Sequence, residues 1–474
     1  MSLMPSKLNE SGVETSEAVL DAPAIESPTI PRPERDPDET AKGSLYRVIW
    51  RWHFFAGLIV APILLIATVT GAIYIFHNEL SNWLYEDLYF VEPAAARLSY
   101  DEQHQIALNA LDGAEIEFLS VWNDPRRSVQ FTAHIHAGED DATELHRVAF
   151  INPYTGDVLG TRIMEREFFN IVLTIHRNLF AGTTGRIFVE LATSWGIVLL
   201  ITGVYLWWPR NKNRIRGVWL PRLRAKPYIV LRDLHAVSGV YLSGFAAIIL
   251  ATGLFISVVW GTGYALVSVQ AGQSLGDFFA PAESRPSAPD DAPAPLETVI
   301  TNIQRHYRPG DVLYHQFPTS DDVGHKAYLM REGDTNTVRG FDIDQYTGEL
   351  IAVTNTDELT PMVRVLALAI SLHQGLTFGM PTKILAMATC LALVAMTITG
   401  IWMWWKRRPR GETGFPRKPP GGVVPRWIWG IVIVVGIALP TVGASILVIV
   451  AGSWLMRCLI PARPLAAANG DRES

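Results

Sequence analysis

The sequence is poor in cysteine and in charge. Only two cysteines occur among 474 residues, Cys390 inside an apolar run and Cys458 near the end. Neither a disulfide framework nor a cysteine-based metal site can be built from them. Charged residues make up 18% of the chain, against roughly a quarter in soluble domains. No G-x-G-x-x-G opens a strand–helix–strand unit, which excludes a dinucleotide-binding module within the chain. The net charge of −6 averages basic residues crowded into short loops against acidic residues in a tail and in long loops. That distribution excludes a nucleic-acid reading.

Apolar residues are abundant instead. They form 49% of the chain, and the mean hydropathy is positive, as expected of an integral membrane protein with sizeable polar segments. Residues 1–43, rich in Pro, Glu, Ser and Asp, read as a disordered tail. Because this tail is polar and long, the first apolar run reads as a retained membrane helix and not a cleaved signal. The expected order is a first span at 44–83, a polar segment at 84–165, and a surface segment with a second span at 166–208. A basic loop at 209–228, a third span at 229–262 and a second polar segment at 263–362 follow. A surface segment with a fourth span at 363–405, a basic loop at 406–426, an apolar stretch at 427–456 and a tail at 457–474 complete the chain. The last apolar stretch, with Pro440 and Gly443 near its middle, is expected as one kinked span, a re-entrant pair being the alternative. Seven positive residues fill the first basic loop (Arg210, Lys212, Arg214, Arg216, Arg222, Arg224 and Lys226), and seven the second (Lys406, Arg407, Arg408, Arg410, Arg417, Lys418 and Arg426). Both loops are expected to be cytoplasmic, and both polar segments to lie on the far side.

The spans repeat a pattern. His176 is followed by Gly182, Thr202, Gly203, Trp207 and Trp208; His373 is followed by Gly379, Thr399, Gly400, Trp404 and Trp405. The offsets of 6, 26, 27, 31 and 32 residues are identical. His53 with Gly57, Thr70 and Gly71 and His235 with Gly239, Thr252 and Gly253 share offsets of 4, 17 and 18 residues. The polar segments also match. Asn152-Pro153-Tyr154-Thr155-Gly156-Asp157 echoes Asp344-Gln345-Tyr346-Thr347-Gly348-Glu349, each reading as a turn between two strands. Each half is therefore expected to be helix, small α+β domain, helix, by internal duplication.

These motifs, over about residues 44–408, resemble the PepSY-associated transmembrane family. The resemblance implies a bacterial inner-membrane haem protein with its PepSY-like domains in the periplasm, its N-terminus in the cytoplasm, and a ferric siderophore as substrate. The fold class expected is a mainly α integral membrane protein. Its four-helix haem-binding core would be built from the duplicated unit, with a C-terminal apolar helix added. Imidazole is a standard axial haem ligand, and two of them fill both axial positions. With no C-x-x-C-H for covalent attachment, two non-covalent haems b are expected, one between His53 and His235 and one between His176 and His373. Reduction of a ferric chelate to release Fe(II) then needs no catalytic acid, base or nucleophile. Electrons would come from quinol or a separate cytosolic flavoprotein.

Other residues compete or assist. His77 lies 24 residues after His53, about 36 Å along a continuous helix, and is the competitor to His176 or His373 as a ligand. Arg186 and Lys383, each ten residues after a far-side histidine, could meet haem propionates or snorkel. Arg51 and Arg232 could do the same on the near side. The tryptophan pairs suit an aromatic belt. The glycines of the spans suit close packing. His134, His136 and His146 are expected as solvated strand residues that could touch a ferric substrate. Two other readings stand beside the reductase. One is a non-redox membrane anchor that binds peptide or regulates a protease. The other is a siderophore or iron transporter, which would need broken helices with polar midplane sites.

Overall fold

The computed structural model describes residues 37–138, 141–209, 215–286, 291–409, 411–416 and 425–459. Most of the expected tail lies outside the described residues, as do Arg210, Lys212, Arg214, Arg410, Arg417 and Lys418 of the basic loops. The first half runs α1 (Pro37–Tyr74), α2 (His77–Leu84), α3 (Glu86–Tyr89), α4 (Tyr100–Ala110), β1 (Ile116–Trp122), β2 (Val129–Gly138), β3 (Asp141–Ile151), β4 (Val158–Ile163), α5 (Phe168–Asn178) and α6 (Gly182–Trp207). The second runs α7 (Pro227–Phe255), α8 (Val259–Gln270), α9 (Leu275–Phe279), α10 (Leu296–Gln304), β5 (Asp311–Gln316), β6 (His325–Arg331), β7 (Arg339–Ile343), β8 (Leu350–Thr354), α11 (Pro361–His373) and α12 (Met380–Arg407). Helices α13 (Arg426–Ala438) and α14 (Pro440–Leu459) follow.

Among the described residues, five helices are long and apolar enough to cross a membrane: Leu45–Tyr74, Gly182–Trp207, Pro227–Phe255, Met380–Arg407 and Pro440–Leu459. The first four pack as a ring, α1 against α6 and α12, and α7 against the same two. Helix α14 leans on α6, where Thr441 donates to Ser194 (3.1 Å) and the Trp195 indole to Ser445 (3.1 Å). Two boundaries differ from the sequence reading. The last apolar stretch is two helices parted at Leu439, because Pro440 has no N–H to continue the ladder and instead opens α14. Helix α1 stops at Tyr74, where the sequence turns polar at His77-Asn78-Glu79, so His77 begins α2 and does not lie on the spanning helix.

The polar segments do not form two separate domains. They join edge to edge, β1 pairing antiparallel with β5, in one eight-stranded sheet of order β4-β3-β2-β1-β5-β6-β7-β8. Helices α4 and α10 cover one face over a shared core in which Leu119, Phe131, Ile151, Ile300, Ile303, Leu313, Leu329, Phe341 and Ile343 are fully buried. The two helices also cap each other. The Asp101 carboxylate accepts the first N–H groups of α10, from Leu296 (2.8 Å) and Glu297 (3.0 Å), and Glu297 accepts the Tyr100 N–H (2.8 Å). A carboxylate at a helix N-terminus satisfies orphan donors and meets the positive dipole end. The matching turns are built alike: Asn152 and Asp344 accept the N–H groups of Tyr154 (3.0 Å) and Tyr346 (2.9 Å), and Gly156 and Gly348 take the left-handed backbone. The tyrosine hydroxyls then donate to Pro125 O (2.8 Å) and Asp321 O (2.7 Å), holding each turn to its sheet.

A buried histidine pair sits in this domain. His315 Nε2 lies 3.0 Å from His325 Nδ1, and His315 Nδ1 is buried without a partner. Burial pushes His325 down to about 4 and His315 well below the ordinary value; His325 and His104 repel a proton on His315, while Asp344 partly offsets the shift at His325. In the unfolded chain both rings protonate near pH 6.5. The fold therefore excludes protons that the unfolded chain takes up, so stability present above about pH 6.5 declines as pH falls towards 4. Thermal unfolding of the purified protein is expected at lower temperature at pH 5 than at pH 7, and the difference should shrink in the His325→Gln variant. A pH difference of the same size in that variant would remove the pair as its cause.

Candidate functional site: four histidines on threonine–glycine steps

Each of the four repeated histidines rests on a Thr-Gly step of a neighbouring helix. His53 of α1 meets Thr202-Gly203 of α6, and His235 of α7 meets Thr399-Gly400 of α12. His176, from the short helix α5, meets Thr70-Gly71 of α1; His373, from α11, meets Thr252-Gly253 of α7. The residues repeated along the sequence are thus the two sides of one contact, made four times.

The contact fixes the ring. His176 Nδ1 is 2.8 Å from Ala67 O, His373 Nδ1 is 2.9 Å from Ile249 O, and His235 Nδ1 is 2.9 Å from Met396 O. Each carbonyl lies three residues before the threonine of its step. A carbonyl only accepts, so in these three rings Nδ1 carries the hydrogen and donates it. His53 Nδ1 lies 2.9 Å from Thr202 Oγ1, whose own hydroxyl donates to Val198 O (2.8 Å), so here too Nδ1 is the donor. The other threonines back-bond in the same way, Thr70 to Ile66 O (2.7 Å), Thr252 to Ile248 O (2.7 Å) and Thr399 to Ala395 O (2.7 Å). The glycine supplies space. A Cβ on Gly253 would stand 2.9 Å from the His373 ring, on Gly71 3.2 Å from His176, on Gly203 3.4 Å from His53, and on Gly400 3.5 Å from His235.

Nε2 is left with its lone pair in all four rings. Among the described residues none of these atoms has a hydrogen-bond partner or is sealed by protein, and the rings are partly buried. An imidazole whose Nδ1–H is tied to a carbonyl and whose Nε2 is free has the tautomer and orientation of a metal ligand. The rings of His176 and His373 stand 6.1 Å apart at 50°. Metal–nitrogen bonds of about 2 Å on each side, added to the two half-rings, roughly fill that distance. Along α1 the two levels are 17 residues apart, from His53 to Thr70, or about 25 Å.

The remaining sequence candidates stand apart from these contacts. His77 donates Nδ1–H to Tyr74 O (2.9 Å) and stacks on the Tyr74 ring at 4.1 Å; Phe169 is its other ring neighbour, at 6.5 Å. Lys383 is buried and its charge is met by Glu79, at 2.7 Å. Arg186 donates to Ile256 O at 3.3 Å, at the break between α7 and α8. Arg232 grips Asp233 (2.6 Å), as does Arg222 (2.7 Å), and Arg51 lies over the Phe55 ring. Trp207 and Trp404 donate to Val218 O (2.9 Å) and Thr413 O (3.1 Å), folding each following loop back on its helix.

Three elements escaped the sequence reading. Glu190, buried in α6, accepts the N–H groups of Val259 (2.7 Å) and Trp260 (3.0 Å) and so holds the start of α8. Asp233, fully buried two residues before His235, anchors the basic loop. A lone carboxylate in each apolar run was the available signal. The third is a cleft of about 220 Å³ between α2, the end of β6 and the start of α12, lined by Asn78, Glu79, Asn82, Arg331, Glu332 and Lys383.

The chain belongs to the PepSY-associated TM region family. The match spans residues 50–407, which takes in all four histidines, their Thr-Gly steps and the whole sheet. No curated protein matches the chain. Helices α13 and α14 lie outside the matched region of this PepSY-associated protein.

The glycine steps make a direct test possible. Gly253→Ala drives a methyl group against His373, and overpacking of this kind costs about 1–3 kcal/mol. Gly57, where an added Cβ would meet Leu199 at an ordinary 3.8 Å, provides the control. Melting in detergent is expected to fall for Gly253→Ala and to hold for Gly57→Ala; equal melting of the two would remove the steric role of the step.

Proposed function

We propose that this chain is a transmembrane electron-transfer protein. It would hold two haems b, one between His53 and His235 and one between His176 and His373, and reduce a ferric chelate, in the first instance a ferric siderophore, with release of Fe(II). The observation that carries the reading is the contact made four times: Nδ1–H tied to a carbonyl or threonine hydroxyl, Nε2 left free, and a glycine beneath the ring. When bound, haem supplies reversible one-electron exchange, and two axial imidazoles leave no position for oxygen.

The chain's own residues divide the remaining work. The Thr-Gly steps orient the imidazoles and exclude the wrong tautomer. The spacing of about 25 Å between the levels is consistent with one pair near each surface of a hydrocarbon layer roughly 30 Å thick. By the positive-inside rule, the charge of the loops around Arg216 to Lys226 and Lys406 to Arg408 supports a cytoplasmic position for His53 and His235 in a bacterial inner membrane, where quinol or a flavoprotein would deliver electrons. The sheet and the cleft beside Lys383 would then stand in the periplasm, where the Glu79–Lys383 pair and Asn78 would offer polar contacts to a chelate. Both halves of the core would descend from one duplicated unit, which accounts for the spacings of histidine, threonine and glycine that recur from one half to the other.

The visible spectrum of the protein, purified from cells supplied with haem, tests this. Two haems per chain are expected, falling to one in His373→Ala or His176→Ala, and to the other one in His53→Ala or His235→Ala. A protein without haem absorption would overturn the reading and favour a non-redox anchor. Retention of both haems in His176→Ala would shift the ligand to His77.

A further inference from the structure

Three imidazoles and three carboxylates meet on the face of the sheet opposite α4 and α10, at the β2–β3 end. His134 and His146 are direct cross-strand partners, and His136 pairs with Glu144 in the same ladder. Residues two apart on one strand share a face, as do directly opposed residues, so these four side chains project together. The rings of His134 and His136 are 5.2 Å apart, and those of His134 and His146 are 6.0 Å apart. Glu117 joins them from β1, where the register shifts between Ile116 and Phe118. Glu117 is the extra residue of that bulge, and bulges re-aim side chains. Here the side chain points at His146.

We propose that this cluster binds a divalent first-row transition-metal ion, with His134 and His146 as ligands through Nε2 and Glu117 and Glu144 supplying carboxylate oxygen. The orientation of His146 is already that of a ligand. Its Nδ1–H donates to Glu165 Oε1 (2.8 Å) while its backbone N–H donates to Glu165 Oε2 (3.0 Å). A carboxylate on Nδ1 is the usual outer partner of a metal-bound histidine, and it directs Nε2 outward. His134 Nε2 is shielded from solvent and has no hydrogen-bond partner.

The facing distances also suit shared coordination. His146 Nε2 lies 3.8 Å from Glu117 Oε2, and His134 Nε2 lies 4.0 Å from Glu144 Oε1. Both are too long for a hydrogen bond. Two ligands of one ion, each bonded at about 2 Å, stand roughly 3–4 Å apart. Among the described residues no three such side chains already surround a single point, so coordination requires the carboxylates to turn inward. The Glu144 side chain is 74% exposed and that of Glu117 38%, which leaves both free to do so. Imidazole with carboxylate selects Fe(II), Co(II), Ni(II) or Zn(II) over Mg(II) and Ca(II). Under the electron-transfer reading the ion at hand is Fe(II), but the site does not rest on that reading.

Co(II) titration of the full-length protein, with any affinity tag removed, tests the site through the visible absorption of the bound ion. One equivalent is expected beyond that taken up by a His134→Asn/His146→Asn variant. Glu165→Gln, which keeps both imidazoles, is expected to bind 10–100-fold more weakly. His53→Ala, remote from the cluster, should bind as the wild type does even where its haem content falls. No Co(II) uptake by the wild-type protein would overturn the proposal without reference to any variant, as would equal uptake by the double variant with its melting temperature unchanged.

Discussion

A donated Nδ1–H is the constraint around which the membrane part is arranged. An imidazole in an apolar ring of helices must place its N–H on an acceptor, and helix carbonyls are already engaged in their own ladders. The acceptors used are the carbonyls three residues before a threonine that back-bonds one turn up its own helix, or, for His53, the threonine hydroxyl itself. Threonine in that conformation bends and loosens the turn, and glycine after it removes the Cβ that would block the ring. The distances between spans, the small residues at their contacts and the position of each ring all follow from satisfying this one bond. The free Nε2 is its consequence.

The sheet extends that constraint to the short helices. His176 and His373 are not on spanning helices, so something outside the ring must hold α5 and α11 in place. For α11 it is the loop after β6: Asp334 accepts the Ser371 hydroxyl (2.6 Å), and Thr335 donates to Ala367 O (2.8 Å). For α5 it is the turn after β4, where Asn170 donates to Met164 O (2.7 Å). The two sides of the sheet are in turn locked by β1–β5 pairing and by the reciprocal caps of Asp101 and Glu297. Had the polar segments been independent domains, as their separate sequences suggested, His176 and His373 would be tied to each other only through the helix ring, by way of Ala67 on α1 and Ile249 on α7. One continuous sheet adds a second tie between the helices that carry these two rings, which stand 6.1 Å apart.

Equal offsets made the histidines, threonines and glycines legible in the sequence, along with the spans and the two turns. What each touches was not legible. His53 and Thr70 recur at a fixed spacing within one helix, yet His53 binds Thr202 and Thr70 receives His176, because neighbours in a helix ring are set by packing and not by order. The same holds for Lys383 and Glu79, 304 residues apart, whose pairing removes the free cation that spacing alone implied. His77 was misplaced for a local reason, since two helices parted by only Ile75 and Phe76 read in sequence as one continuous helix. Joining β1 to β5 leaves no periodic signal, because an edge strand and an inner strand carry the same alternation.

The two copies of the pattern agree where the rings are held and diverge where they are not. At the position of His77 the second copy has Val259, and at that of Asp233 the first has Arg51. Glu190 has Met387 as its counterpart, and only the first polar segment has the His134–His146 pair. These differences lie outside the four contacts. The holder demands identity, because the same hydrogen bond must be made in the same space, while the residues around it are free to differ. The buried Asp233 with its two arginines orders one end. At the other stand the polar cleft at Glu79 and the imidazole–carboxylate cluster at His146. The two ends of the four-helix ring therefore differ in chemistry although the four contacts between them are alike.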